Sequence, residues 1–374
     1  MMNKRVRLLS LYVISLATLV CPAVYSCTTF VLRQGNHLVV GHNLDWISGT
    51  GLLIVNPRNL EKFALVDSSE HPIRWISRFG SITFNQVGRE LPFGGMNETG
   101  LVVEQMSLNS TVYPSKDGRS AVGACQWIQF QLDNYSTVEE VISSDTLVRI
   151  VDGTSKFHFL ICDRFGHAAI IEFLNGKMVC RTGNDLPVEA LANSTYEESL
   201  SCYRNLGDTQ SDRSLYNFCT AARQTHHPNL LAGDSTISHA FTVLDSVSQG
   251  LFTKWSIVYD ITNMKIYSIC FETPTIVGER KIFVKKREDA GMKVVDLKGW
   301  NFNCTDASHV LDLDCPDKGT VNQRFVKYSA DINKEFIAKA FTFYKGWGIG
   351  MTLTDEQMDS LTKYPESFKC VAGK

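Results

Sequence analysis

Several features that would assign a function at once are missing from this sequence. Its 11 cysteines include no CxxC pair, and no pair of histidines lies beside a pair of cysteines, so we predict no metal site. The 37 Lys and Arg nearly balance the 39 Asp and Glu, which argues against nucleic acid as a partner. No repeat, low-complexity tract or Pro/Gly/Ser-rich linker divides the chain, and no apolar run after residue 26 is long enough to span a bilayer. We therefore expect one globular domain that needs no cofactor.

The first residues have the composition of an export signal. Positive residues at 4–7 precede an apolar run at 8–20, which is too short to span a bilayer comfortably. Val24 and Ser26 then place small residues at −3 and −1 of a cut before Cys27. A short membrane anchor or a buried N-terminal helix is the alternative, but no stop-transfer pattern follows.

This cut divides the chain into a signal peptide, residues 1–26, and a single mature domain, residues 27–374. We expect the mature domain in the periplasm or outside the cell. The residues before Cys27 also resemble a weak lipobox, in which the cysteine would be lipidated. Tyr25 is a poor residue there, so we do not expect a lipid-anchored form.

Ten cysteines remain after the predicted cut, and export permits disulfides. Cys162, Cys180 and Cys270 lie in apolar, strand-like runs, which favours buried free thiols over bridges. Cys304 and Cys315 lie in a polar region and can pair with each other, although spacing alone leaves the connectivity open.

Short apolar runs separated by Gly, Asn and Asp indicate a strand-rich chain. The predicted strands are 28–33, 37–41, 52–55, 81–85, 101–105, 157–163, 168–174, 177–181, 255–260 and 265–270. The predicted helices are 121–132, 138–143 (with Thr137 as N-cap), 196–205, 214–223, 240–247 and 332–344. Because blocks of strands alternate with blocks of helices, the pattern favours antiparallel sheets covered by helices over a doubly wound parallel fold.

Cys27 is the first candidate for chemistry. As an N-terminal residue it would carry both a thiol and an α-amine, whose ordinary pKa of about 7.7–8.0 suits a base near neutrality. The thiol can then attack an amide carbonyl while the amine takes its proton and later returns it to the leaving nitrogen. A lipidated cysteine and a structural thiol are the alternatives.

The segment CTTFVLRQGNHLVVGHNLDW, residues 27–46, resembles the start of the mature chain in the choloylglycine hydrolase family, which includes bile salt hydrolases and penicillin V acylases. The family's G-R-N-x-D-[WFY] motif is here GHNLDW. The resemblance implies that Asp45 orients the nucleophile and that Trp46 lies near the substrate. A hairpin would also bring Asp45 beside Cys27, although a solvated turn aspartate is the plainer alternative.

Two further segments resemble the same family. GGMNETGL, residues 94–101, matches its G-x-N-E-x-G-L motif, which implies that Asn97 helps to form an oxyanion hole, largely through backbone N–H. LANSTYEESL, residues 191–200, resembles T-N-x-P-x-[FY], which implies that the Asn193 amide is the second donor. A hairpin turn at Asn97 and a helix cap at Asn193 are the alternatives.

The chain departs from the family at two arginines. His42 stands in place of the first, and Asn217 in place of the second, with Arg213 nearby but offset. If His42 occupies the arginine's place, activity should show an ionisation near the ordinary histidine pKa of about 6.5. A neutral, hydrogen-bonding histidine is the alternative.

The resemblance implies an α+β fold, a four-layer αββα sandwich of two antiparallel sheets (the N-terminal-nucleophile hydrolase fold). It also implies hydrolysis of a linear, non-peptide amide through an acyl-enzyme. A bile salt, a penicillin, an N-acyl amino acid or an acyl-homoserine lactone would be the small-molecule N-acyl amide substrate. An acyltransferase and a catalytically silent acyl-ligand-binding protein are the alternatives, and a homo-oligomer is compatible with each. Candidate pocket aromatics, each of which can instead belong to the core, are Trp46, Trp75, Phe79, Phe93 and Trp127.

Overall fold

The computed structural model of the protein describes residues 25–151, 155–205, 212–226, 235–270, 291–346 and 353–371. Its strands are β1 Thr28–Gln34, β2 His37–Asp45, β3 Leu52–Asn56, β4 Leu60–Phe63, β5 Arg74–Ile76, β6 Ser81–Asn85, β7 Pro92–Asn97, β8 Val102–Ser107, β9 Ser120–Val122, β10 Val148–Ile150, β11 Phe157–Cys162, β12 Ala168–Leu174, β13 Lys177–Thr182, β14 Ala190–Leu191, β15 Thr253–Asp260, β16 Lys265–Cys270, β17 Lys293–Asp296, β18 His309–Asp312, β19 Gly319–Thr320, β20 Val326–Lys327 and β21 Lys369–Cys370. Its α-helices are α1 Ala124–Asn134, α2 Val138–Ser143, α3 Tyr196–Arg204, α4 Arg213–His226, α5 Thr236–Ser246, α6 Ala330–Gly346 and α7 Asp355–Lys363.

Two large sheets organise the described residues. The first has the order β14-β1-β2-β15-β16-β17-β19 and is antiparallel except at the pair β17 and β19. The second has the order β13-β12-β11-β8-β7-β6-β3-β18-β20 and is antiparallel throughout. This arrangement confirms the predicted α+β sandwich of antiparallel sheets.

The sheets pack face to face over an apolar core, and helices cover their outer faces. Inward side chains such as Val40 and Leu160 are fully buried in that core. Helices α4 and α5 lie on β1 and β2, while α1 lies on β7 and β8. Gly41 is the strand partner of Phe30 on the face that the helices cover, and a Cβ there would lie 2.4 Å from the Phe30 ring, so this motif glycine leaves room for that ring.

The helix predictions are confirmed except at their edges. Thr137 caps α2 as predicted, because its hydroxyl accepts from the backbone N–H of Glu140 at 3.2 Å. The predicted helical start at residue 121 is wrong: Ala121 and Val122 belong to β9, which pairs in parallel with β10, and α1 begins at Ala124. Pairing with a strand that lies later in the chain overrides the local propensity there.

One disulfide joins Cys304 to Cys370 across a sequence separation of 66 residues. The sequence left the connectivity open; the possible pairing of Cys304 with Cys315 does not occur, and Cys315 is free. Cys162 and Cys270 are buried free thiols, as predicted. β21, which carries Cys370, pairs with β4, so the disulfide fixes the end of the described chain to this three-stranded sheet.

The predicted signal peptide, residues 1–26, lies outside the described residues except for Tyr25 and Ser26. Among the helices that the structure describes, none has both the length and the apolar character needed to cross a membrane.

Candidate active site

Cys27 lies immediately before β1, at the edge of the first sheet. Its thiol contacts the backbone carbonyl of Asp45 at 3.8 Å. In this chain Ser26 still precedes it, and only 6% of Cys27 is exposed. Burial, reinforced by the nearby Asp45 carboxyl, raises the thiol pKa well above its usual range. The thiol is therefore protonated in this structure, in which Ser26 precedes Cys27.

Asp45 is the last residue of β2, and the β1–β2 hairpin brings it beside Cys27 as the sequence predicted. The Asp45 carboxylate is buried and accepts a hydrogen bond from the Thr253 hydroxyl. Thr253 begins β15 and is the direct strand partner of Asp45. The hairpin and the neighbouring strand thus fix Asp45 from both sides.

Asn193 follows β14, the other neighbour of β1. Because Thr29 faces Leu191 in this antiparallel pair, Asn193 follows β14 at the end where the chain enters β1 from Cys27. The Asn193 amide donates to the Tyr25 carbonyl at 3.5 Å, and its oxygen has no hydrogen-bond partner among the described residues. The alternative role as a helix cap is wrong, since Thr195 caps α3.

The carbonyl of Ser26, bonded to the Cys27 nitrogen, is held by two side-chain amides. Asn217 Nδ2 donates to it at 2.8 Å from α4, and Gln249 Nε2 donates at 3.2 Å from the turn before β15. Asn217 is fully buried. The sequence had marked Asn217 only as a departure, and no local pattern had marked Gln249.

The Tyr25 ring lies in a slot between two aromatic rings. It meets Phe252 at 4.9 Å between centroids and Trp46 at 5.9 Å, both edge to face. Trp46 and Phe252, which form the two sides of this slot, are also joined by a hydrogen bond: the Trp46 backbone N–H donates to the Phe252 carbonyl at 2.7 Å. Trp46 thus contacts Tyr25, two residues before Cys27, while Phe252 was not predicted.

His42 belongs to a buried polar network between the two sheets. Its Nδ1 lies 2.7 Å from Thr29 Oγ1, and its Nε2 lies 3.5 Å from Glu104 Oε2. The Tyr259 hydroxyl donates to the other oxygen of Glu104. A Cβ at Gly94 would lie 2.2 Å from the Glu104 carboxyl, so only glycine leaves room for it.

Burial sets the charge of this network. It lowers the His42 pKa to about 3 and raises the Glu104 pKa well above its usual value. Each shift favours the uncharged form of its group, and His42 Nε2 lies 3.5 Å from Glu104 Oε2. The expected ionisation of His42 in the working pH range is therefore corrected to a neutral, hydrogen-bonding ring.

Asn97 is not brought to Cys27. Its side-chain amide donates to the carbonyls of Leu132 and Tyr135, at 2.9 and 2.8 Å, on the α1 side of the second sheet. Its backbone N–H donates to the Leu101 carbonyl at 3.0 Å. Since both kinds of donor are already used, this arrangement gives no support to Asn97 as an oxyanion donor.

The remaining aromatic candidates differ in whether they pack in a core or lie near Cys27. Trp75 and Trp127 pack in the core between the second sheet and α1, on the face opposite to the Cys27 core, so they are packing residues. Phe79 bonds through its backbone N–H to the Asp133 carbonyl, near the same helix. Phe93 packs partly against the Cys27 core. Of the predicted aromatics, Trp46 is therefore the one that contacts Tyr25, which precedes Cys27 in the chain.

Arg213 does not replace the missing arginines beside the thiol. Its guanidinium donates to the carbonyls of Val247 and Ser248, at 3.3 and 2.9 Å. It therefore anchors the turn that carries Gln249 and leads into Thr253.

A cavity of about 370 Å³ opens beside Asn193. It is lined by Leu108, Asn109, Ser110, Asn193, Ser194, Glu198, Asp212 and Leu215. Its carboxylates, Glu198 and Asp212, are exposed. No cluster of three or more His, Cys, Asp or Glu side chains suited to a metal occurs in the parts of the chain that the structure describes.

The sequence matches a known family over this region. The model of the linear amide C–N hydrolases, choloylglycine hydrolase family, matches residues 27–228, which begin at Cys27 and include Asp45, Asn193 and Asn217. The penicillin V acylase of Pectobacterium atrosepticum is 26% identical over 224 residues. That match covers 53% of this chain and 58% of the relative, so it spans less than two thirds of the relative's length.

Solved structures share the fold. The penicillin V acylase from Agrobacterium tumefaciens superposes with a TM-score of 0.63 at 24% identity, covering 81% of this chain and 98% of that chain. A mutant of the conjugated bile acid hydrolase from Clostridium perfringens superposes with a TM-score of 0.60 at 16% identity, covering 79% and 98%. At these identities the likeness establishes the fold alone.

Proposed function

Because this chain belongs to the linear amide C–N hydrolases of the choloylglycine hydrolase family, we propose that it hydrolyses a linear, non-peptide amide with Cys27 as nucleophile. One observation carries the proposal: the Cys27 thiol lies at the end of β1 beside Asp45, with Asn193 opposite. A nucleophile, a carboxylate that can orient an amine, and an amide donor therefore converge on one sheet edge.

The chemistry needs the α-amine of Cys27. Once the leader is gone, the amine takes the thiol proton, and the thiolate adds to the substrate carbonyl carbon. The tetrahedral adduct collapses as the amine returns the proton to the leaving nitrogen, which leaves a thioester on Cys27. Water then adds to the thioester, giving its proton to the amine, and the carboxylic acid departs as the thiol re-forms. Asp45 is placed to orient the amine throughout.

Processing must precede this chemistry. While Ser26 is attached, the nitrogen of Cys27 is an amide and cannot act as a base. Only 3% of Ser26 and 6% of Cys27 are exposed in the folded chain, so a signal peptidase would have to cut this bond before the chain folds. We propose export on this basis. The Cys304–Cys370 disulfide supports it, because such bonds persist in oxidising compartments.

The surroundings favour an apolar acyl group. The slot between Trp46 and Phe252 accepts the Tyr25 ring in this chain and is open to the acyl part of a substrate once the leader leaves. The polar cavity beside Asn193 suits the amine part. The relatives are named for penicillin V and for conjugated bile acids, so we propose these and other N-acyl amides as the first substrates to test.

The deciding experiment compares exported wild type with Cys27→Ala and Cys27→Ser on a panel of N-acyl amides. Wild type should begin at Cys27 by N-terminal sequencing and should release amine. Cys27→Ala should be inactive but folded, and Cys27→Ser nearly so, because a hydroxyl ionises far less than a thiol at this pH. The free thiols Cys162 and Cys315 offer matched control positions.

Hydrolysis retained in Cys27→Ala would refute the proposed nucleophile. Full activity of a chain with one residue left before Cys27 would refute the role of the α-amine. If wild type binds the amides and forms no covalent adduct at Cys27, the chain is an acyl-ligand-binding relative instead.

A further inference from the structure

Two side-chain amides from distant parts of the chain converge on one carbonyl oxygen. Asn217 and Gln249 both donate to the Ser26 carbonyl, at 2.8 and 3.2 Å. Preorganised donors of an oxyanion hole lie about 2.7–3.1 Å from the oxygen that becomes charged. The two amides therefore have the number and nearly the spacing of such a pair.

The Ser26 carbonyl is a chemical stand-in for a substrate carbonyl. Its carbon is bonded to the Cys27 nitrogen, and the Cys27 sulfur lies three bonds from that nitrogen. Attack by the sulfur on this carbon would close a five-membered ring. An acyl carbon bonded to the same sulfur would occupy the same small region, with its oxygen facing the donors that now hold the Ser26 oxygen.

Gln249 is held by the hydrogen bonds of its turn, whereas Asn217 is restricted by burial. Asn217 is fully buried on α4, and its amide oxygen has no hydrogen-bond partner among the described residues, so its hydrogen bond to the leader is the one interaction described for this side chain. The backbone N–H of Gln249 donates to the Thr253 hydroxyl at 2.7 Å, and that hydroxyl donates to Asp45. Arg213 anchors the same turn through the Ser248 carbonyl. The turn thus ties Gln249 to the residue that orients the nucleophile.

We propose that Asn217 and Gln249 are catalytic residues that bind the carbonyl oxygen of the acyl group transferred to Cys27. This inference rests on the proposed function of Cys27. As the thiolate adds, the carbonyl electron pair moves onto the oxygen, and the two amide N–H groups hold the resulting charge. The pair is neutral and does not titrate, so it serves an uncharged amide or thioester carbonyl at any working pH.

The test compares Gln249→Leu, Gln249→Glu and Asn217→Asp with wild type, using the full exported chain after its N-terminus at Cys27 has been verified. Each variant should lower kcat by roughly 10²–10³, because one oxyanion donor is lost, and should change KM less than about threefold. Gln224→Leu, two turns further along the same helix as Asn217, is the control and should retain wild-type kinetics.

Alkylation of Cys27 by iodoacetamide separates catalysis from structure, because that reaction develops no charge on an acyl oxygen. Its rate in Gln249→Leu should stay within about twofold of wild type. Wild-type kcat in the variants, an effect confined to KM, or a parallel loss of alkylation would overturn the inference. Hydrolysis that persists in Cys27→Ala would instead overturn the proposed function, so the two failures are distinct.

Discussion

Replacing Glu104 by Gln should make the protein more stable than wild type, by a margin that grows with pH. The carboxyl is buried between the sheets, where it accepts from the Tyr259 hydroxyl and lies 3.5 Å from His42. Burial raises its pKa well above the usual value, so the folded chain keeps a proton that the unfolded chain releases. Glutamine has the same shape, keeps an acceptor for Tyr259 and keeps a donor for His42.

The magnitude follows from proton linkage. Above the ordinary glutamate pKa of about 4.3, the folded state binds one more proton than the unfolded state. As the pH rises, the free energy of unfolding of the wild type then falls by about 1.4 kcal/mol per pH unit until the folded-state pKa of Glu104 is reached. Glu104→Gln has no carboxyl at this position and does not show this decrease. His42, whose folded pKa is lowered to about 3, has the opposite dependence between there and 6.5. Above pH 6.5 the ring is neutral in both states, so the Glu104 effect stands alone.

Urea unfolding of wild type and Glu104→Gln from pH 6.5 to 8.5 measures this difference directly. Glu139→Gln, at an exposed position of α2, is the control and should change stability by less than about 1 kcal/mol. Glu104→Ala should be destabilised, because the Tyr259 hydroxyl loses its acceptor, at about 1–3 kcal/mol, and a cavity adds to that cost. A stability difference that does not change with pH, or a large loss in Glu104→Gln, would show that Glu104 is ionised beside a cationic His42.

Three further changes test other parts of the structure. Asn193→Ala should lower kcat by roughly 10²–10³ if its amide binds the acyl oxygen of the substrate once residues 1–26 are removed. In steady-state kinetics, a loss of tenfold or less would mean that other donors bind that oxygen. Trp46→Ala should raise KM for amides of aromatic acids by about two- to tenfold more than for amides of aliphatic acids of equal length, because the lost contact between rings is worth about 0.5–1.5 kcal/mol. Equal increases in KM for both kinds of amide would show that the acyl group binds elsewhere. Cys304→Ser should lower the free energy of unfolding by about 4 kcal/mol, from loop closure over 66 residues, whereas Cys315→Ser should change it by less than about 1 kcal/mol in the same urea titration.

Local pattern was enough to predict the strands of the sandwich. The predicted strands 81–85 and 168–174 end where β6 and β12 end. In each, the apolar and β-branched residues are followed by a turn that contains Asn or Gly, so adjacent residues mark the end of the strand. The edges failed where a distant partner decides the conformation, as at Ala121 and Val122, which pair with β10.

The same distinction explains the site. Cys27 and Asp45 are joined by one hairpin, so their proximity could be predicted from the motif and the turn. Gln249, Phe252 and Glu104 were missed because each reaches the site from another strand or turn, and nothing in its neighbouring residues marks it. Only the order of strands in the two sheets brings these side chains together.

His42 and Asn217 stand where the family has two arginines, and this replacement bears on how the Cys27 thiol is activated. A guanidinium beside a thiol lowers its pKa and holds the thiolate. Here His42 is neutral and Asn217 is an amide, while burial and the nearby Asp45 carboxylate raise the thiol pKa. A thiolate held in advance is therefore disfavoured in this chain, and the proton must pass to a base during the reaction. In the mechanism that we propose, the α-amine that Cys27 would gain by processing takes this proton, so activity would depend on removal of residues 1–26 more strongly than in a site that keeps an arginine beside its cysteine.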